Sequence, residues 1–180
     1  MRSCDGCRLC CKVFPVPALD KPAGDWCRHA CAAGCAIHGP TTPEICRRYD
    51  CYWREYDGLP EAWRPDRVGV VVTEAGNVTV GYRILPVVCL QEDFAGASRS
   101  DAAVGLLDYF VARGFAVMVI YGMQARIEFD RAFWPGISSD EIEAALRYEL
   151  AQDAEELKRL GAVGDDYRVE DKPRRRHQAD

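Results

Sequence analysis

Four cysteines stand within the first eleven residues, MRSCDGCRLCC, and five more follow by residue 51: Cys27, Cys31, Cys35, Cys46 and Cys51. Of the ten cysteines in the chain, Cys89 alone falls outside this stretch. A thiolate is a soft, charged donor, and the spacing C-x2-C lets two sulfurs reach one centre from a single tight turn. Cys4, Cys7 and Cys10 provide three such sulfurs in succession. That run with a more distant fourth cysteine is frequent in iron–sulfur proteins, whereas zinc modules more often use two separated pairs. The chemistry these residues point to is metal chelation by thiolates: zinc, iron, or an iron–sulfur cluster. A disulfide framework is the alternative. The chain reaches Cys4 after only Met-Arg-Ser, without the basic and apolar regions of an export signal, so the expected compartment is the reducing cytoplasm and the expected use of the thiols is metal.

The candidate ligands are Cys4, Cys7, Cys10, Cys11, Cys27, Cys31, Cys35, Cys46 and Cys51, with His29 between two of them and His38 just beyond. Nine thiols and two imidazoles exceed what two four-coordinate sites require. Side chains of adjacent residues diverge, so Cys11 is expected to face a different site from Cys10. Three arrangements fit: two separate tetrahedral sites with a spare thiol, an iron–sulfur cluster beside a zinc, or one polynuclear centre with bridging thiolates. A Zn2+ ion with four thiolates keeps about two negative charges. Arg8, Lys12, Arg28, Arg47 and Arg48 lie beside the ligands in sequence, where they can offset that excess or serve as ordinary surface charges.

The elements that must position these residues divide the 180-residue chain in three. Residues 1–65 are rich in Cys, Pro and Gly, and their apolar residues follow no sustained period. Such a segment buries too little surface to order itself and needs staples. Short helices are expected around Cys4 to Lys12 and Pro43 to Tyr49, the second capped by Thr41 or Thr42. Residues 66–165 read as an α+β portion. VGVVVT (68–73) and VTVGYRI (78–84) flank EAGN as a hairpin, and Pro86 bends the chain before VVCL. Residues 100–114 predict a helix with Val104, Leu107, Phe110 and Val111 on its apolar face. FAVMVIY (115–121) and ARIEF (125–129) predict a second hairpin. Residues 138–161 predict the longest helix, with a Ser138–Glu141 capping box, a stripe of Ile142, Leu146, Leu150, Ala154 and Leu157, and a stop at Gly161. The expected fold class is α+β: a metal-stapled module, then two hairpins and two helices in the order ββαββα, the helices on one side of the sheet. Residues 166–180 are expected to be a polar, disordered tail.

The net charge is −5, with 9 Lys/Arg against 8 Asp/Glu in residues 1–65 and 14 against 20 beyond. Neither part has the basic excess of a nucleic-acid binder, and no apolar run approaches the ~20 residues of a membrane span. No Gly-rich phosphate loop, G-x-S-x-G or H-E-x-x-H is present. Glu92 and Asp93, expected in an exposed loop, are the remaining acidic candidates for an enzyme. Cys89 reads as a small buried hydrophobe.

The segment CDGCRLCCKVFPVPALDKPAGDWCRHACAAGCAIHGPTTPEICRRYDCYW resembles the bacterial cysteine-cluster proteins of the YkgJ type, also described as CxxCxxCC or zinc- or iron-chelating domain proteins. The resemblance rests on C-x2-C-x2-CC, W-C-x-H, G-C-x-I and C-R-x-Y-x-C-x-W, and covers Cys4 to about Trp53. It implies Cys4, Cys7, Cys10, Cys11, Cys27, Cys35, Cys46 and Cys51 as chelating positions, and puts Cys31 and His29 at a more variable place. Where the family carries an aromatic residue and Arg-Pro, this chain has His38 and Thr42-Pro43. The expectation is a cytosolic protein chelating zinc and/or iron, with a redox, sensing or metal-handling role and an unspecified protein or redox partner. Two alternatives stand beside it: purely structural zinc under a partner-binding α+β half, and a metal-dependent enzyme of unknown reaction.

Overall fold

A computed structural model of the chain describes residues 2–4, 6–49, 51–122, 124–159 and 170–171. The N-terminal segment holds helix α1 (Cys10–Val13), the strands β1 (Ala30–Cys31) and β2 (Gly34–Cys35), and helices α2 (Glu44–Arg48), α3 (Tyr52–Glu55) and α4 (Pro65–Val68). Beyond it come strands β3 (Val70–Val80) and β4 (Arg83–Glu92), helix α5 (Leu106–Val111), strands β5 (Ala116–Tyr121) and β6 (Gln124–Glu128), helix α6 (Ser139–Arg159) and strand β7 (Glu170–Asp171). Helices and strands are thus mixed, in two sheets: the β1–β2 pair and a five-stranded sheet of order β3-β4-β5-β6-β7. The larger sheet is antiparallel at β3–β4 and β5–β6, and parallel at β4–β5 and β6–β7. Short 3-10 turns between the elements and the added strand β7 make the order less simple than ββαββα. Glu170 and Asp171, assigned by sequence to the tail, pair with Gln124 and Ala125; the KPRRRHQAD end lies outside the described residues, as does Gly161.

Alternation along the strands divides the sheet into two faces. Val70, Val72, Val88, Leu90, Val117 and Val119 pack with Leu106 and Phe110 of α5, and with Tyr52, Trp53 and Leu59 from the N-terminal segment. On the opposite face Leu85, Val87, Cys89, Ala116 and Met118 pack with Trp134, Ile137, and Ile142 and Leu146 of α6. The two longer helices therefore cover opposite faces, not one side. The reason is the parallel β4–β5 pair, which needs a crossover connection; α5 belongs to that crossover, and the chain leaves β6 to cover the remaining face.

Several local expectations change for identifiable reasons. The turn expected at residues 74–77 is a bulge within β3, where the register shifts between Glu74 and Asn77 and Gly76 takes φ +75. The hairpin turns instead at Gly81–Tyr82, and Pro86 stays inside β4 opposite Asn77, beside the irregularity, where a ladder can lose a donor. The helix expected over 100–114 is shortened because Gly105 adopts φ +79, leaving Val104 74% exposed. Thr42 does not cap α2: its hydroxyl accepts from Gly39 N (2.8 Å) and donates to Ile37 O (2.7 Å). The Ser138–Glu141 capping box forms as expected, with Ser138 N and Oγ donating to Glu141 at 2.8 and 2.7 Å and Glu141 N donating back to Ser138 Oγ.

Glu92 and Asp93 are not an exposed acidic loop. Glu92 ends β4 with 1% of its side chain exposed, and its carboxylate accepts from Gly96 N (3.0 Å), Ser98 N (2.9 Å) and Ser98 Oγ (2.6 Å), with the Arg126 guanidinium 3.5 Å away. Burial opposes its ionisation, but the Ser98 and Gly96 donors and Arg126 outweigh burial and hold the carboxyl below its ordinary range. Asp93 pairs with Lys12 of α1 and so ties the cysteine-rich segment to the β4–α5 connection. A carboxyl with a depressed folded pKa stabilises the fold above its unfolded pKa, and loses that contribution as pH falls through the folded value. Glu92→Gln should therefore cost about 3 kcal/mol near neutrality, as for one broken partner of a buried charged network. The gap from the parent in chemical unfolding should narrow below about pH 4.

Candidate metal centre

The N-terminal segment is carried by elements of two to five residues, so its positions are set by hydrogen bonds and docking more than by helical or strand continuity. Cys7 N donates to Cys4 O at 2.7 Å, closing the first C-x2-C into a turn. Arg2 N donates to Arg54 O (3.3 Å) and Arg54 Nε returns to Arg2 O (3.1 Å), which lays the start of the chain beside the segment carrying Cys51. The Arg2 guanidinium donates to the carbonyls of Trp53, Asp57 and Leu59, and lies 4.7 Å from the Trp53 ring centroid. Cys27 N donates to Cys11 O at 3.0 Å, and Gly24 N to Lys12 O at 3.0 Å, which brings the Cys27 loop against α1.

Burial raises the pKa of Cys7, with Asp66 and Cys4 adding to the rise; burial likewise raises Cys51, with Cys4 and Cys7 adding to it. Cys10 is held protonated first by a hydrogen bond to Cys11, then by burial and by Cys11, Cys7 and Cys4. Burial raises the pKa of Cys46, and Cys11, Cys27 and Cys35 raise it further. Cys10 and Cys11, expected to face different sites, are hydrogen-bonded to each other at the start of α1. Cys11 is shifted the other way: the bond from Cys10 favours its thiolate, burial opposes it, and Lys21 and Arg8 support it.

Cys31 and His29 are placed apart. In the β1–β2 hairpin Ala30 pairs with Cys35 and Cys31 with Gly34, while Ala36 N donates to His29 O at 2.8 Å. Alternation then puts Cys31 on the hairpin face opposite Cys35, and His29 lies in the turn before β1. His38 is exposed, and Cys89 is a buried member of the second core.

As placed, no three His, Cys, Asp or Glu side chains among the described residues form a ready metal-holding set. What the structure supplies is the donor chemistry and the backbone contacts that bring the cysteine-bearing segments beside one another. Burial is the first cause of the raised pKa values of Cys7, Cys46 and Cys51, and neighbouring negative groups add to it.

The neighbouring cations differ from the sequence expectation. Arg8 does face Cys11, but Lys12 pairs with Asp93 and Arg48 with Glu44 (3.4 Å). Lys21 and Arg54, which nothing in type or spacing singles out in the sequence, act on the thiols instead. Models of known protein families, curated proteins and solved structures were all compared with the chain, and none matches it.

Arg2→Ala removes a guanidinium that serves three carbonyls and the Trp53 ring. The variant should lose about 1–3 kcal/mol of stability, the range for hydrogen bonds from a charged donor, read as a lower midpoint of chemical unfolding followed by tryptophan fluorescence.

Proposed function

We propose that this chain is a metal-binding cysteine-cluster protein that chelates zinc and/or iron through two four-thiolate groups, Cys4/Cys7/Cys10/Cys51 and Cys11/Cys27/Cys35/Cys46. What supports the reading is the donor chemistry: Cys4 and Cys7 act on Cys51, Cys11, Cys27 and Cys35 act on Cys46, and Cys27 N donates to Cys11 O, while Cys31 faces away from Cys35 in the β1–β2 hairpin. The eight cysteines of the two groups are the positions implied by the YkgJ-type resemblance, and membership of that family is part of the proposal. Four thiolates satisfy a Zn2+ or Fe ion without an open position, which suits a structural, redox or metal-handling centre better than Lewis-acid catalysis. Thiolate ligands require a reducing compartment, and a cytoplasmic location belongs to this reading. Among the described residues, no helix is long and apolar enough to cross a membrane.

A structural role for the metal has its own support. The segment carrying the thiols contributes Leu9 and Val13 to one face of β3, and Tyr52, Trp53 and Leu59 to the other. Metal that closes the two groups would hold those residues in place, because elements this short do not order themselves. A redox or sensing role draws on the Cys10–Cys11 contact, through which a change at one group is felt at the other.

Native mass spectrometry of the full chain, purified without oxygen, tests the reading. The parent should carry two metal equivalents, or the corresponding mass of iron with inorganic sulfide. Cys51→Ser and Cys46→Ser should each lose one, and the double variant both, while Cys31→Ser keeps two. A parent mass lower by two hydrogens per cysteine pair, with no metal, would replace the proposal with disulfides.

A further inference from the structure

β3 is an edge strand of the larger sheet, and the cysteine-rich segment encloses its first residues from both faces. Val70, 1% exposed, lies in a cluster with Tyr52, Trp53 and Leu59, while Val71, fully buried, lies on the other face with Leu9 and Val13. Among the described residues, no backbone hydrogen bond joins residues 2–59 to β3. Side-chain packing, not strand pairing, holds this cover on the edge.

Two thiols are built into the cover. Cys7 packs against the cluster of Leu9, Val13 and Val71, and Cys51 packs against that cluster and the one containing Val70, so it sits where the two faces of β3 meet. The other ties are few. Arg2 reaches the carbonyls of Trp53, Asp57 and Leu59 and so joins the two ends of the segment, and Lys12 pairs with Asp93 at the end of β4. Helices α1, α2 and α3 have four, five and four residues, too short to keep their form unaided. The order of the cover therefore depends on what closes its cysteines.

The rest of the sheet has its own covering. Val88, Leu90, Val117 and Val119 share a core with Leu106 and Phe110 of α5, and Leu85, Val87 and Met118 share one with Ile142 and Leu146 of α6. We infer that the cysteine-rich segment is a metal-latched cover on the β3 edge: metal held by its thiols keeps Val70 and Val71 enclosed, and loss of that metal opens the edge while the sheet beyond it stays formed. The inference rests on the metal-binding reading above and adds the structural change that reports metal occupancy. Linkage makes the coupling reciprocal, so whatever loosens the cover also weakens metal retention.

Hydrogen exchange read by mass spectrometry tests the cover, using the full chain under reducing conditions, loaded with zinc and after chelation, with zinc counted by native mass. Zinc removal should speed exchange over residues 68–72 by about tenfold or more, the effect of uncovering one buried valine, and leave residues 116–121 of β5 unchanged. Asp93→Asn breaks a tie of the cover that involves no cysteine. With zinc bound, this variant should exchange faster than the parent over residues 68–72 and release zinc faster to a chromogenic chelator. Ser138→Ala, which removes the capping box of α6 on the other side of the sheet, should do neither. Equal acceleration over residues 68–72 and 116–121 on zinc removal would make the metal a staple of the whole fold and overturn the cover, as would unchanged exchange over 68–72; both results leave the metal reading standing. Zinc release from Asp93→Asn at the parent rate overturns the coupling. A parent chain that carries no metal overturns both readings.

Discussion

Val70 and Val71 are consecutive residues of β3, point to opposite faces of the sheet, and are both covered by the cysteine-rich segment. Val71 is fully buried against Leu9 and Val13, while Val70 shares its core with Tyr52, Trp53 and Leu59. The segment thus straddles an edge strand. Residues near position 10 and residues near position 52 are brought to opposite sides of one strand, and the chain between them must loop around that edge. Each Leu or Val buried in this way is worth about 1.5–3 kcal/mol, comparable with what a single hydrogen-bond staple provides. The straddling also deals with the exposed ladder of an edge strand, which otherwise invites pairing with another chain.

The placement of the cysteine-bearing segments follows from that arrangement. Cys51 immediately precedes Tyr52 and Trp53, and packs against the two cores that the first residues of β3 contribute to. Arg2 holds the start of the chain to residues 53–59, and this carries Cys4 and Cys7 to Cys51. Cys11, one residue along α1 from Cys10, accepts at its carbonyl from Cys27 N, which brings the Cys27 loop to the same helix. The Lys12–Asp93 pair then connects α1 to the end of β4, where the Glu92 network fixes the connection toward α5. A disturbance at the thiols has a short covalent and ionic route into the larger sheet.

The charges show how little proximity in sequence says about proximity in space. Lys12 follows Cys11 directly, yet its ammonium is taken by Asp93. Lys21 lies six residues from the nearest cysteine, and the Val16–Lys21 bridge returns it to the carbonyls of Lys12 and Phe14 at α1. In the same way Glu92, read as a loop carboxylate, is a strand-end residue whose acceptors are consumed by Ser98, Gly96 and Arg126. Its role is to shape a connection, and the chain offers no sign of it before folding, because Arg126 arrives from a strand more than thirty residues away.

What the sequence determined by itself was everything governed by type and short spacing. The nine clustered cysteines, the strands β5 and β6, the Ser138–Glu141 capping box and the burial of Cys89 all depend on residues within a few positions of one another. The tertiary structure decided what depends on distant partners: which segments the cysteines are brought beside, which carboxylate takes Lys12, and which face of the sheet each helix covers. It also decided where β3 bulges and where it turns, because Gly76 and Gly81 both suit a reversal and the register of β4 against β5 determines which one is used. The physical reason is common to all of these. Periodicity and spacing report the environment of a residue along its own element, while charge pairing, register and docking are set by residues that meet only when the chain closes on itself.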